Sequence, residues 1–313
     1  MDIDQLRNKV REHYFENLHT LSTVKQFHFS SRMWLWFEDQ RARDILEVLR
    51  EEMISDGSDT SLHEVLSGLL EKDHKFGSDN AKEFRKQAIE RHPELVRIMP
   101  VLYRALWADK IYGVTNAWDV ARDVVAPEKL NHIADRLFND PASVAAFSTH
   151  AANFAYLYKK IGGEAAEIPS TSDFVEIASS RYDDTDLLQL QLKLYLLTHV
   201  VIGETLFYSE AIHEPAKQSA VELVSYLDTD FSNRFDDINL DNKFEFLVCA
   251  RICGVEVESE SRINQEALNS ISPDGIYTID THNNNPQSRN TSLARSQHRN
   301  VLLVMSGTRF RLA

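Results

Sequence analysis

The sequence predicts an all-α protein of paired helices, about six hairpins repeating every 46–53 residues or so and closing, or nearly closing, into a ring. Three observations predict it. Apolar residues recur at spacings of three and four along most of the chain. Runs opened by a polar side chain end nine positions later in glycine: Arg104 to Gly113, Asn153 to Gly162, Glu245 to Gly254 and His298 to Gly307. A fifth run, led by Thr198 and His199, lacks the closing glycine, and the leading positions 104, 153, 199, 245 and 298 lie 49, 46, 46 and 53 residues apart. No stretch reads as a convincing strand; Ile276–Ile279 is too short to matter.

Taken in order, residues 2–20 place Ile3, Leu6, Val10, Tyr14 and Leu18 on one helical face. Ser22–Ser31 reads as a loop before a long helix from Arg32 to Ile54, whose entrance carries Met33, Trp34, Trp36 and Phe37. Turn formers occupy Ser55–Asp59. Ser61 and Glu64 read as a capping box, each side chain satisfying a free backbone N–H, and open a helix to Lys72. Gly77–Asn80 breaks the chain before a helix from Ala81 to Arg91. Pro93 suits a first helical turn, where its missing N–H costs nothing, whereas Pro100 should kink or delay the helix through Leu95, Leu102 and Tyr112.

Beyond Pro127 the alternation is regular. Outer helices are expected over Pro127–Phe138, after Ser170–Asp173, from Pro215 to Phe231 and over Ile263–Ile271. Inner helices are expected over 142–161, Asp184–Tyr208, 239–253 and 291–306. Glu256–Glu260 is an acidic solvated loop and Ser272–Gly275 a sharp turn. The expectation is eleven to thirteen helices in one domain over 1–313, irregular over 1–92 and regular over 93–313.

Charge narrows the partners. With 34 Lys plus Arg against 48 Asp plus Glu, the net charge of −14 repels phosphate backbones and anionic membrane surfaces, so neither nucleic acid nor membrane is expected. No apolar run reaches the eighteen or so residues of a membrane span, and Met1–Arg7 lacks the layout of a secretory signal. The expected location is cytoplasmic. Cys249 and Cys253 lie one helical turn apart, which suits buried small hydrophobes better than a disulfide; a deep thiolate ligand is the other reading.

The nine-residue register puts Asn153, Glu245 and His298 at equivalent ends of three inner helices, with His199 equivalent within one residue. In a ring these ends meet at a central funnel. His199, Glu245 and His298 form a set that suits zinc, or ferrous iron as a facial triad. Asp241, one turn before Glu245, suits a further ligand, an orienter of a histidine or a general base. His199, Asp241, Glu245 and His298 are therefore the candidate catalytic residues, and Arg104, His150, Asn153 and Tyr208 the candidate substrate-binding ones. The same residues could instead ring a solvated funnel, or bind a ligand without a metal. Trp34, Trp36 and Phe37 suit a ligand platform or core, Trp107 and Trp118 core, and the loop Thr281–Asn290 a lid or plain surface.

A resemblance enters here. Ser272-Pro273-Asp274-Gly275-Ile276-Tyr277, a loop and then the helix led by Gln297 and His298 resemble the α/α toroids, the superfamily of lanthionine cyclases, protein prenyltransferase β subunits and terpenoid cyclases. Leu197-Thr198-His199, Asp241 with Glu245, and the His298 helix are similar to an uncharacterised bacterial toroid family, over Asn153 to the end of the chain. The cyclases and prenyltransferases hold zinc with a cysteine, and here no cysteine neighbours a histidine; the Asp-rich motif of terpenoid cyclases is also missing. Only His298 occupies a position that suits a toroid metal ligand. The resemblance implies an enzyme of specialised metabolism or peptide modification acting on a small molecule or peptide. Two alternatives stay open: a non-catalytic helical-repeat protein that binds a partner protein, and an (α/α)₆ carbohydrate-active enzyme pairing Asp241 with Asp109 or Glu204. No Gly-rich phosphate loop or nucleophile elbow occurs.

Overall fold

A computed structural model describes residues 1–72, 83–164, 168–279 and 292–313. Among the described residues it is all-helical, with seventeen α-helices and no strand. The first six are α1 (Ile3–Asn17), α2 (Thr23–Phe37), α3 (Gln40–Val48), α4 (Arg50–Ile54), α5 (Asp59–Glu71) and α6 (Glu83–Arg91). Next come α7 (Pro93–Lys110), α8 (Ala117–Val125), α9 (Pro127–Phe138), α10 (Pro141–Phe147), α11 (Thr149–Lys160) and α12 (Thr171–Arg181). The last are α13 (Leu187–Glu204), α14 (Ala216–Asn233), α15 (Leu240–Cys253), α16 (Glu260–Asn269) and α17 (Leu293–Met305). The expected break at Gly77–Asn80 and the loop Thr281–Asn290 lie outside the described residues.

The helices outnumber the expectation because several long ones are broken. The supposed loop Ser22–Ser31 is the first half of α2, which buries Phe27 and Phe29 despite its polar composition. The supposed helix from Arg32 to Ile54 stops at Glu38, a left-handed residue (φ 54°) whose N–H returns to the Met33 and Trp34 carbonyls. α5 begins two residues before Ser61, with Ser58 as its N-cap, so Ser61 and Glu64 form no capping box. The inner helix expected over 142–161 divides at Ser148 (φ 50°) into α10 and α11. The one expected to reach Tyr208 ends at Glu204, and Leu206, Phe207 and Tyr208 follow at φ 42°, 58° and 73°. Pro100, conversely, does not delay or end its helix: α7 runs through it.

Glycine closes helices where the register placed it. Gly254 (φ 70°) is the left-handed cap of α15, and Gly162 (φ 80°) follows α11. Both conformations penalise a side chain, so glycine at these two positions is a backbone requirement. The β-like segment is reduced to one bridge between Ile271 and Thr278, folded over Gly275, whose N–H meets the Ser272 carbonyl at 2.7 Å.

Two compact units arise from this chain. Unit 1 comprises Met1–Leu46, Thr185–Leu194 and Phe207–Ala313; unit 2 comprises Glu47–Asp184 and Tyr195–Leu206. In unit 1, α15 packs against α14, α16 and α17, and α17 packs in turn against α1 and α2. Twelve of the fourteen residues of α15 are buried, as expected of a helix covered on every side. Side chains from the start of the chain hold its end: Tyr14 Oη donates to Leu293 O at 2.9 Å, Arg7 Nε to Leu303 O at 3.3 Å and Trp36 Nε1 to Thr308 Oγ1 at 3.1 Å. In unit 2, α5, α7 and α8 form one cluster, and α10 packs against α6, α9, α11 and α12.

One buried amide closes the C-terminal hairpin of unit 1. Asn300 Oδ1 accepts from Thr278 N at 2.9 Å and Oγ1 at 3.0 Å, while Asn300 Nδ2 donates to Thr278 O at 3.0 Å. Both residues are fully buried, so removing the amide strands a backbone donor and acceptor away from water. Asn300→Ala is expected to lower the unfolding free energy by about 2–4 kcal/mol in urea titrations followed by circular dichroism. A loss below about 1 kcal/mol would show that the bridge is not held this way.

Candidate functional site

In unit 1, three helices bring a polar group together. α2 supplies His28 and Arg32, one turn apart on the same face; α15 supplies Asp241, Glu245 and Cys249 at successive turns; α17 supplies Gln297, His298 and Arg299. His298 Nδ1–H donates to Asp241 Oδ2 at 2.8 Å, and Arg299 Nε lies 3.8 Å from the other carboxylate oxygen. Gln297 Nε2 donates to His28 Nδ1 at 2.9 Å, which leaves the proton of the neutral His28 ring on Nε2. The His28 and His298 rings stand 5.4 Å apart between centroids, tilted by 45°.

These surroundings push the two imidazoles in opposite directions. Burial drives His28 well below the ordinary histidine value, and the charges of Arg32 and His298 add to the fall. Burial also disfavours the His298 imidazolium, but the adjacent Asp241 carboxylate and its hydrogen bond, with Glu245 beyond, outweigh it and raise His298. His298 nonetheless keeps 39% of its side-chain surface exposed. Glu245 is 1% exposed.

Tyr208 belongs to the same unit. Its ring meets Trp36 edge-on at 5.7 Å, and the Arg32 guanidinium carbon lies 6.0 Å from its centroid. Burial raises the Tyr208 phenol strongly; Glu245 and Cys249 push the same way against Arg32. Neither Cys249 nor Cys253 forms a disulfide, both are buried, and burial pushes the Cys253 thiol up to about 12. Both therefore sit as buried thiols on α15.

The other candidates lie in unit 2. His199 Nδ1–H donates to Asn153 Oδ1 at 2.8 Å, and Asn153 Nδ2 donates to Tyr103 Oη at 2.5 Å. Tyr156 Oη donates to Glu204 at 2.9 Å, its ring lying over Gly203, where an added Cβ would come within 2.0 Å. Burial, then the charges of Arg85 and His199, push His150 down to about 3. Arg104 donates to the Met53 and Glu52 carbonyls and so caps α4, a structural task. Asp109 accepts from Trp118 Nε1 at 2.9 Å.

Asn153 and His199, both at register positions, thus pair in unit 2, while in unit 1 the register residue His298 pairs with Asp241, one turn before the register residue Glu245. His28 and Arg32 were missed: the stretch bearing His28 was read as loop, and an amphipathic count over 23–37 is the signal that finds it. As for the zinc or iron set, no group of three or more His, Cys, Asp or Glu side chains positioned to hold a metal occurs among the described residues. Nor, among the described residues, is any helix long and apolar enough to cross a membrane.

Fold and site together define an all-helical protein with a carboxylate-oriented histidine facing a second, neutral histidine. Residues 3–307 match the model of a domain of unknown function, DUF3541, and the chain belongs to that family. Comparison with curated proteins and with solved structures gives no match.

The opposite shifts set opposite pH dependences. A raised His298 contributes stability that is complete below about pH 6.5 and lost as pH rises through its folded value. The depressed His28 and His150 do the reverse: below about pH 6.5 the unfolded chain takes up protons the folded chain refuses, so stability falls with acidification, for His150 down to about 3. Proton-detected titration of the histidine Cε1 resonances should show His298 titrating above about 6.5 and His28 far below it. In Asp241→Asn the His298 midpoint should fall. A His298 midpoint unmoved by that change would disprove the pairing.

Proposed function

We propose that this protein is an enzyme that transfers protons to and from a small molecule or peptide, with His298 as the acid/base group and Asp241 as the residue that orients it. What carries the reading is the couple of His298 with Asp241 at 2.8 Å beside His28, two imidazoles held near each other with their proton affinities driven apart. Such separation assigns roles: the raised imidazole delivers a proton at neutral pH, and the depressed one stays neutral and can receive or share one. Asp241 fixes the tautomer of His298, leaving Nε2 as the working nitrogen. Arg32 and Glu245 supply one charge of each sign beside the pair, the cation suited to developing negative charge on a substrate.

The wider expectation belongs to the same proposal. The resemblance to α/α toroids implies a ring of hairpins around a polar funnel, and a place in specialised metabolism or peptide modification. What supports it is the all-helical chain, the left-handed glycines at Gly162 and Gly254, and the couple of two register residues, Asn153 with His199.

The test uses the full chain incubated with fractionated small-metabolite and peptide pools, with depletion and new masses followed by mass spectrometry. His298→Gln and Asp241→Asn should each lower the turnover of any depleted compound by about 10²–10⁴-fold while leaving the circular dichroism spectrum unchanged. Turnover that survives both replacements would end the acid/base reading, and elemental analysis of the same preparations tests for zinc or iron.

A further inference from the structure

Two imidazoles in unit 1 are oriented by two different kinds of neighbour. Gln297 Nε2 donates to His28 Nδ1 at 2.9 Å, and Asp241 Oδ2 accepts from His298 Nδ1 at 2.8 Å. Each ring gives its Nδ1 to the fold, and each is left to act through Nε2. Gln297 and His298 are consecutive on α17, and Gln297 is buried, so one turn of helix sets both rings. Their centroids lie 5.4 Å apart. Two hydrogen bonds of about 2.8 Å, one from each ring, can meet on a single small group at that separation.

The two Nε2 atoms differ in what they can do. The Gln297 amide N–H against Nδ1 places the proton of a neutral His28 on Nε2, so that atom is a standing donor. Burial keeps the ring neutral, and a neutral imidazole polarises an oxygen without giving its proton up. His298 has a carboxylate behind it, so its Nε2 can take a proton and return it while Asp241 stabilises the imidazolium. A donor that stays beside a base that exchanges matches one kind of reaction: charge grows on an oxygen while a proton leaves a nearby atom. Acyl transfer also builds charge on a carbonyl oxygen, but it is served less well. Cys249 and Cys253, further along α15 from Asp241, are buried thiols pushed up by that burial, so neither is a poised nucleophile.

We propose that the substrate of the His298 site is a small carbonyl compound with a C–H next to its C=O, which the site interconverts with its enol, His28 holding the carbonyl oxygen and Gln297 holding His28. The proposal rests on the reading of His298 as the acid/base group. In the step, neutral His298 Nε2 takes the proton from carbon, the C–H pair becomes the C=C bond, and the C=O π pair moves onto oxygen. That oxygen accepts the hydrogen bond of His28 Nε2–H. The His298 imidazolium then returns the proton to the oxygen or to carbon, so the composition is unchanged and no oxidant or second reactant is needed. His28 is catalytic by its contact with the oxygen, and Gln297 is a positioning residue.

The experiment incubates the full chain in D₂O with dihydroxyacetone, pyruvate and acetoacetate, and with the fractionated metabolite pools, reading carbon-bound deuterium by proton NMR and mass spectrometry. Deuterium is expected at the carbon next to C=O of at least one compound, faster than without protein and lost with His298→Gln. His28→Phe should slow that exchange about 10²–10³-fold, and His28→Gln, which keeps a neutral N–H donor, should slow it less. Gln297→Glu sets an acceptor against Nδ1, so in histidine labelled with nitrogen-15 the proton of His28 should move from Nε2 to Nδ1 and the exchange should slow. A merely structural Gln297 would leave that tautomer unchanged. Gln297→Leu, which removes the donor and should mix the two tautomers, serves if the glutamate variant does not fold. His298-dependent turnover without carbon-bound deuterium, ester or amide hydrolysis included, overturns the carbonyl assignment and leaves the acid/base reading standing; absence of any His298-dependent turnover ends both. Exchange undiminished in His28→Phe also overturns the proposal.

Discussion

A hydrogen bond of 2.8 Å between the His298 imidazole and the Asp241 carboxylate joins helices separated by 57 residues of chain, and the site depends on it. Such a bond forms only if α17 is held in one rotation against α15. The first helices hold it there. Tyr14 reaches the start of α17, Arg7 its last turn, and Trp36 the residues just beyond it. Three contacts spread along one helix fix its rotation as well as its position. The N-terminal helices therefore act as a brace for the C-terminal one, and α2 brings His28 and Arg32 to the site through the same packing.

Burial then gives identical imidazoles different chemistry. His28 and His298 share a side-chain type and neighbouring space, but Gln297 offers one a neutral donor and Asp241 offers the other a full negative charge. Desolvation disfavours the charged form of both; only where a carboxylate answers does the proton stay. Tyr208 shows what the fold tolerates to complete this neighbourhood. It ends a run of three non-glycine residues in the left-handed region, a conformation costing about 1–2 kcal/mol per residue. Surroundings that over-determine such a run are common at functional sites. Here the outcome is a ring wedged against Trp36 and facing Arg32.

Much of this was legible in the chain itself. Helical periodicity is a local signal, and the all-helical class followed from it. The glycine register was legible because a left-handed cap needs glycine, and it led to one pair of real neighbours, Asn153 with His199; Asp241, the partner of His298, lies one turn before the register residue Glu245. What it could not resolve were breaks made without glycine or proline. Glu38 and Ser148 adopt positive-φ conformations that no composition rule flags, and with a further break at Leu49 one expected helix became three and another became two. Polar residues inside a buried helix hid in the same way. The stretch from Lys25 to Ser31 looks like surface loop, yet it is the face of α2 that carries His28.

The two couples differ by one substitution of kind, and that difference bears on where chemistry can occur. Asn153 and Asp241 each accept the Nδ1–H of a histidine on a following inner helix, both at 2.8 Å. An amide answers that donor with a dipole, and its own N–H donates on to Tyr103 Oη. A carboxylate answers with a whole charge and stabilises the imidazolium that proton transfer creates. The Asp241 carboxylate therefore helps raise His298 above the ordinary histidine value, whereas Asn153 offers His199 no charge. The choice between Asp and Asn as the acceptor of a histidine Nδ1–H thus separates the two couples, a charged answer in unit 1 and an uncharged one in unit 2.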